Sequence, residues 1–156
     1  MQESFNLTDE LRQGILGREG TPTFLDIEKG HVRRFAEAIS DPNPLWTDEK
    51  LAFQGPNQGL IAPPTFLRVA TNVLPEVPEL KSLNRLLDAG SEWEFQGSVY
   101  VGETITAISR ITSIRQRTLS VGPAVFLQSE TTYTRQDKSI AALQRSTVIL
   151  YSEPED

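Results

Sequence analysis

The chain has 156 residues, ample for one domain with its own hydrophobic core, and its 38% hydrophobic and 23% charged content is ordinary for a soluble globular protein. A net charge of −6 excludes the broadly basic face that nucleic-acid binding needs. Zero cysteines exclude disulfides, thiolate nucleophiles and Cys-type metal sites, and a single histidine leaves no metal site to expect.

No apolar run approaches the roughly 20 residues that span a bilayer. Met1-Gln2-Glu3-Ser4 lacks the basic-then-apolar start of a secretion signal, so the expected location is cytoplasmic. Positive charge is local, at Arg33-Arg34 and Arg115-Gln116-Arg117. Solvated surface is the favoured reading of both, with a nucleotide phosphate as the alternative.

In chain order, residues 1–22 form an N-terminal helical extension. Leu7, Leu11, Ile15 and Leu16 have the spacing of a short amphipathic helix, Thr8 is its N-cap, and Gly17 and Gly20 end it. Residues 23–27 read as a strand. Gly30 then opens a helix with Val32, Phe35, Ala36 and Ile39 on one face, stopped at Asp41-Pro42 because proline pushes the preceding residue out of the α region. Residues 41–59 read as an ordered loop with a helical piece near 48–53.

Pro63-Pro64 suits a helix start, and Phe66, Leu67, Val69, Ala70, Val73 and Leu74 predict a buried helix running to Pro75. Four strand-like runs follow, at 91–101, 103–117, 124–135 and 140–151, with turns at Gly102-Glu103 and Asp137-Lys138-Ser139. Residues 152–156 are an acidic tail expected to fray. Helices grouped before a meander of strands imply a single α+β domain over 1–156, an antiparallel sheet wrapped around one buried central helix, which is the hot-dog fold.

Six stretches carry a family resemblance: 34–38, Asp41-Pro42-Asn43-Pro44-Leu45-Trp46, 59–67, 90–94, 101–105 and 129–133. In this order they resemble the MaoC-like (R)-specific enoyl-CoA hydratases, in particular the FAS1-like dehydratase N-terminal domain. The resemblance covers nearly the whole chain. It implies addition or removal of water at a 2-enoyl thioester of coenzyme A or acyl-carrier protein. An Asp and a His share one water as acid and base, and an N–H at the start of the buried helix polarises the thioester carbonyl. No cofactor is implied beyond the coenzyme A or phosphopantetheine of the substrate, and no metal.

On this resemblance Asp41 matches the catalytic Asp, and Asn43 and Pro44 match the turn that positions it. Trp46 stands where the family has its His, and an indole N–H donates but cannot accept a proton. The family's His-Gly aligns with Pro63-Pro64, and proline has no backbone N–H. Two of three catalytic elements are missing, the pattern of the non-catalytic half of a double hot-dog. The mycolic-acid type of dehydratase and the steroid side-chain type of enoyl-CoA hydratase are built in this way from two chains.

The expected function is therefore a subunit that binds the acyl thioester and completes the tunnel while a partner hot-dog supplies Asp and His, as a heterodimer or heterotetramer, otherwise a homodimer. Asn43, Trp46, Gly59, Pro63, Pro64 and Trp93 are the candidate substrate-binding residues, and Arg33, Arg34 or Arg68 the candidates for coenzyme A phosphates. Structural readings stand beside these: Asp41 as a capping residue, Trp46 as a core wedge, Pro63-Pro64 as a helix start, His31 as surface, and Glu92 and Trp93 as packing. Two other functions stay open. One is a self-sufficient homodimeric hydratase or thioesterase using Asp41, with Glu92 as a possible second carboxylate. The other is a non-enzymatic acyl-thioester-binding module.

Overall fold

The computed structural model describes residues 5–70 and 73–152. Its centre is a five-stranded antiparallel sheet: β1 (Thr23–Asp26), β2 (Arg85–Phe95), β3 (Thr104–Leu119), β4 (Gly122–Thr134) and β5 (Ile140–Tyr151). Their spatial order is β1-β3-β4-β5-β2, so the consecutive hairpins β3–β4 and β4–β5 form the middle while β1 and β2 are the edges. Three short helices, α1 (Asp9–Ile15), α2 (Lys29–Ala38) and α3 (Glu49–Gln54), and a 3-10 turn at Pro64–Val69 complete the chain's main elements. This is the hot-dog fold expected from the sequence.

Strand alternation decides the concave face. Ile105, Ala107, Ser109 and Ile111 of β3 are buried, and the register shift between Ile111 and Ser113 then hands burial to Ile114. Two apolar clusters sit on that face. The larger joins Ile105, Ala107, Tyr133 and Ala142 of the sheet to Trp46 and Phe66. α2 docks there through Val32 and Ala36, and Phe35 meets Phe66 edge-on at 5.4 Å. The second cluster joins Ile111, Ile114, Val125 and Leu127 to Leu7 and Ile15.

The N-terminal helix is thus part of the core. Its Thr8 hydroxyl accepts from the Leu11 N–H at 3.2 Å, as an N-cap should. Gln116 of β3 ties down the approach, accepting from Leu7 N–H at 2.6 Å and donating to the Phe5 carbonyl at 3.1 Å. Gly20 passes so close to the Val73 carbonyl that a Cβ would lie 2.8 Å from it, so only glycine fits. Residues 1–4 and 153–156, and with them the N-terminal tetrapeptide and most of the expected acidic tail, lie outside the described residues. Ser152 is tied in, its hydroxyl donating to the Ser82 carbonyl at 2.8 Å.

Three expectations need correction. The central helix is a six-residue 3-10 turn ending at Val69, with Phe66 and Leu67 buried, not an α-helix to Leu74. The prolines at its start cost a helix nothing, but the stretch that follows, Val69-Ala70-Thr71-Asn72-Val73, holds four poor helix formers. Of the expected α2 face, Ile39 lies past the helix end and is exposed.

β2 runs over Arg85–Phe95 rather than 91–101. Its start was hidden by a bulge between Asp88 and Ser91, closed by the Gly90 N–H donating to Asp88 Oδ1 at 2.9 Å, with Gly90 at φ +110° where glycine is favoured. Beyond Gln96 the chain leaves β5. Residues 99–101 instead bond 60–62, through Ala62 N–H to the Val99 carbonyl at 2.8 Å and Val101 N–H to the Leu60 carbonyl at 3.0 Å.

Candidate functional site

The Asp-x-Asn-Pro loop is built from two side-chain turns in series. The Asn43 N–H donates to Asp41 Oδ1 at 3.1 Å, and the Leu45 N–H donates to Asn43 Oδ1 at 3.0 Å. The polar side chains that the sequence singled out therefore hold their own backbone. The loop is stitched to the strand-like segment at 60–62 by Ile61 N–H to the Leu45 carbonyl at 3.2 Å. This delivers Trp46 into the larger apolar cluster, 7% exposed, with its Nε1–H buried and without an acceptor among the described residues. A buried donor without a partner costs roughly 1–3 kcal/mol, so the indole is held there by its packing.

Pro63, buried, caps the 3-10 turn and Pro64 opens it exposed to solvent, and neither has a backbone N–H. Gly59 is buried against Tyr100, whose Cδ1 lies 3.9 Å from where a Cβ would stand, so nothing there demands glycine for close approach. Trp93 lies half-buried on β2, stacked on Tyr133 at 5.3 Å and on Phe95 at 5.6 Å. Trp46, Pro63 and Gly59 are thus core and connection. Trp46 and Trp93 border the same apolar cluster, one buried within it and one packed on it.

The second carboxylate fails. Ser91 and Trp93 face the concave side, so Glu92 between them points to the convex face, where it lines a shallow recess with Gln128, Arg145 and Thr147. It cannot serve with Asp41. His31 is exposed with its Nδ1 3.4 Å from Glu28 Oε2. Of the candidate phosphate-binding arginines, Arg33 faces Glu37 at 3.8 Å and Arg68 pairs with Asp88 at 3.1 Å, both at the surface. Arg117 lies over the Phe126 ring, 5.3 Å from its centre. Among the described residues no group of three or more His, Cys, Asp or Glu could hold a metal ion, and no helix is long and apolar enough to cross a membrane.

What sequence reasoning missed lies between the two apolar clusters. Register aligns Ser109, Thr131, Gln144 and Trp93 in one row across four strands, and Ile111, Ser129, Ser146 and Ser91 in the next. Ser109, Ser129, Thr131 and Gln144 are 1%, 4%, 2% and 4% exposed, the buried polar residues among those described. A pocket of about 180 Å³ lies over them, bounded by Ala70, Val73 and Leu74 and by the Arg68–Asp88 pair.

Part of this belt is wired. Tyr133 O–H donates to Gln144 Oε1 at 2.8 Å, Gln144 Nε2 donates to Ser91 Oγ at 3.2 Å, and Ser91 Oγ lies 3.0 Å from Ser146 Oγ. Burial pushes the Tyr133 phenol up to about 12, despite the opposing charge of Arg68. The β2 bulge lets Asp88 and Ser91, three positions apart, both face the pocket. The signal available beforehand was the serine at 109 among inward apolar residues of β3. Its neighbours on β4 and β5 emerge only with the register.

A curled antiparallel sheet, a short buried turn on its concave face and an Asp-x-Asn-Pro loop at one corner define the hot-dog dehydratase class. Residues 15–143 match the family described as FAS1-like, dehydratase domain region, and the chain belongs to that family. A UPF0336 protein of Streptomyces avermitilis is 31% identical over 111 residues, covering 67% of this chain and 74% of its own. A Thermomonospora curvata protein named probable enoyl-CoA hydratase alpha subunit is 26% identical over 132 residues, which are 73% of this chain and 41% of that longer one. Among solved structures, the ChsH1-ChsH2 complex from Mycobacterium tuberculosis superposes with a TM-score of 0.74 at 14% identity, over 94% of this chain and 90% of the other, a likeness of fold.

Proposed function

We propose that this chain is the non-catalytic subunit of a 2-enoyl-thioester hydratase or 3-hydroxyacyl-thioester dehydratase. It binds the acyl thioester and completes the active-site tunnel, while a partner hot-dog subunit supplies the Asp and His. The observation that carries the reading is Trp46, locked in apolar packing with a donor-only ring where the hydratases have their histidine. Pro63-Pro64 removes the N–H that would polarise the carbonyl, and Asp41 is engaged in its own turn. Three independent features thus point the same way.

The partner would join at β2. This edge strand is 11 residues long, pairs with β5 alone, and leaves Leu86, Leu87 and Phe95 58%, 54% and 42% exposed. A long apolar edge invites strand pairing unless something covers it. That the ChsH1-ChsH2 structure is a complex, and that the Thermomonospora curvata protein is named an alpha subunit, agree with a partnered role. Coenzyme A or carrier phosphopantetheine enters only as part of the substrate, and the assembly belongs in the cytoplasm.

The test is hydration of crotonyl-CoA and 2-octenoyl-CoA, followed by loss of enoyl absorbance. It is run with the chain alone and with a hot-dog subunit that retains the Asp and His. The reading expects no turnover alone and turnover in combination beyond that of the partner by itself. Turnover by the chain alone would overturn it. Tight acyl-CoA binding without turnover in any combination would leave a binding module.

A further inference from the structure

The polar belt is an anomaly for a tunnel meant to hold hydrocarbon. A hot-dog core needs only apolar packing between sheet and central turn, and both neighbouring clusters supply it. Between them Ser109, Ser129 and Thr131 are at least nine-tenths buried, and their hydroxyls make no hydrogen bond among the described residues; unlike the Trp46 indole they are not sealed in packing but open onto a cavity. Their side chains line the 180 Å³ pocket. Serine and threonine hydroxyls that face a mostly apolar pocket call for a partner, water or a ligand, and Ala or Val would fill these positions without that demand. The Trp46 indole is also unpartnered, but lines none of the pockets described above. The belt hydroxyls have both the vacancy and the room.

We propose that this pocket takes an oxygen-bearing, otherwise apolar group, a hydroxyl or carbonyl on the ligand's hydrocarbon, with Ser129, Thr131 and Ser109 as its hydrogen-bond partners. On the reading above, on which the ligand's source rests, that group is carried by the acyl chain, so the preferred thioester is an oxygenated one. The surrounding geometry suits a specificity site. Gln144 is fixed by Tyr133 on one side and by Ser91 on the other, so the belt's wired half presents a set orientation. Ala70, Val73, Leu86 and Val148 supply the apolar walls. A plain hydrocarbon entering here would strip water from three hydroxyls and return no partner, the situation in which a polar site rejects an analogue lacking the polar group.

Two titrations of the full chain test this. The first uses cyclohexanol and methylcyclohexane, read by NMR at the Ala70, Val73 and Val148 methyls. The alcohol is expected to bind at least about tenfold more tightly, the worth of one well-made buried hydrogen bond. The ratio should fall towards one in the Ser129→Ala/Thr131→Val variant. Ser109→Ala carries the same test from the neighbouring strand if that variant does not fold. The second compares saturated acyl-CoA with ω-hydroxyacyl-CoA of six to ten carbons by calorimetry, expecting the same preference at the length that reaches the belt.

If the alcohol wins but no thioester of either kind binds, the hydratase reading falls while the pocket's chemistry stands. If thioesters bind and the hydrocarbon equals or beats its oxygenated twin throughout, the belt holds only water, and this inference falls while the hydratase reading survives.

Discussion

At one corner of the concave face, Asp41, Asn43 and Trp46 carry polar atoms that the sequence marks as chemical; across its middle, Ser109, Ser129, Thr131 and Gln144 carry polar atoms that the sequence scarcely marks. The first set is spent on turns or sealed in packing: two carboxyl and amide oxygens accept backbone N–H groups, and one indole N–H faces apolar side chains. The second set is buried more deeply than Asp41 and Asn43, yet it borders space. An unpartnered donor in solid packing is a cost carried by the fold, whereas unpartnered hydroxyls around a pocket are a vacancy for a ligand. Space, more than residue type, separates the two regions.

The comparison can be broken at several levels. Phe66→Ala at the apolar corner should cost about 3–5 kcal/mol in denaturant unfolding, because the ring is fully buried against Phe35. A cost below about 1 kcal/mol would mean that the 3-10 turn is not the core element described.

Tyr133→Phe should cost about 1–3 kcal/mol by leaving Gln144 Oε1 without its donor. The same variant has a pH signature. Folding raises this phenol from the ordinary 10 to about 12, so the folded state holds the proton more firmly, and stability falls as pH climbs from 10 through about 12. Unfolding midpoints across that window should decline more gently for Tyr133→Phe than for the parent protein.

Trp46→Phe should change stability by less than about 1.5 kcal/mol, since the lost indole volume is offset by removing a donor that has no acceptor. A loss above about 3 kcal/mol would show that Nε1 has a partner after all.

The smallest effect concerns Glu79, whose carboxylate is held to about 2, chiefly by the Arg18 guanidinium at 2.6 and 2.9 Å. A depressed carboxyl contributes above its unfolded value of 4.5 and loses that contribution as pH falls through about 2. The pair is partly exposed, so Glu79→Gln should cost less than about 1 kcal/mol at pH 7, and nothing below pH 2. Equal destabilisation at both pH values would assign the effect to packing.

Much of the fold was legible because it is written in local pattern. β5 falls on 140–151 as read, and Thr8 caps α1. The loop at 41–46 was legible as chemistry by resemblance and as capping by residue type, and the hydrogen bonds show the capping. The 64–74 helix was overread because an apolar run looks the same in a 3-10 turn and in an α-helix, and only the poor helix formers from Val69 onward argue otherwise. The belt was illegible for a different reason. Its members sit on four strands far apart in sequence, and a lone inward serine means little until register sets Thr131 beside Ser109 and Ser146 beside Ser129.

The central claim is that the Asp41 corner shapes the assembly without taking part in proton transfer. It is tested most directly by Asp41→Asn, which keeps the Oδ1 that accepts the Asn43 N–H, in the active assembly with a partner hot-dog. The account predicts that kcat for 2-enoyl-CoA hydration is unchanged within about twofold, because the partner carries the acid and base. A fall of about 10² or more, the usual loss on removing a general acid or base, would contradict it and make this chain's own aspartate catalytic.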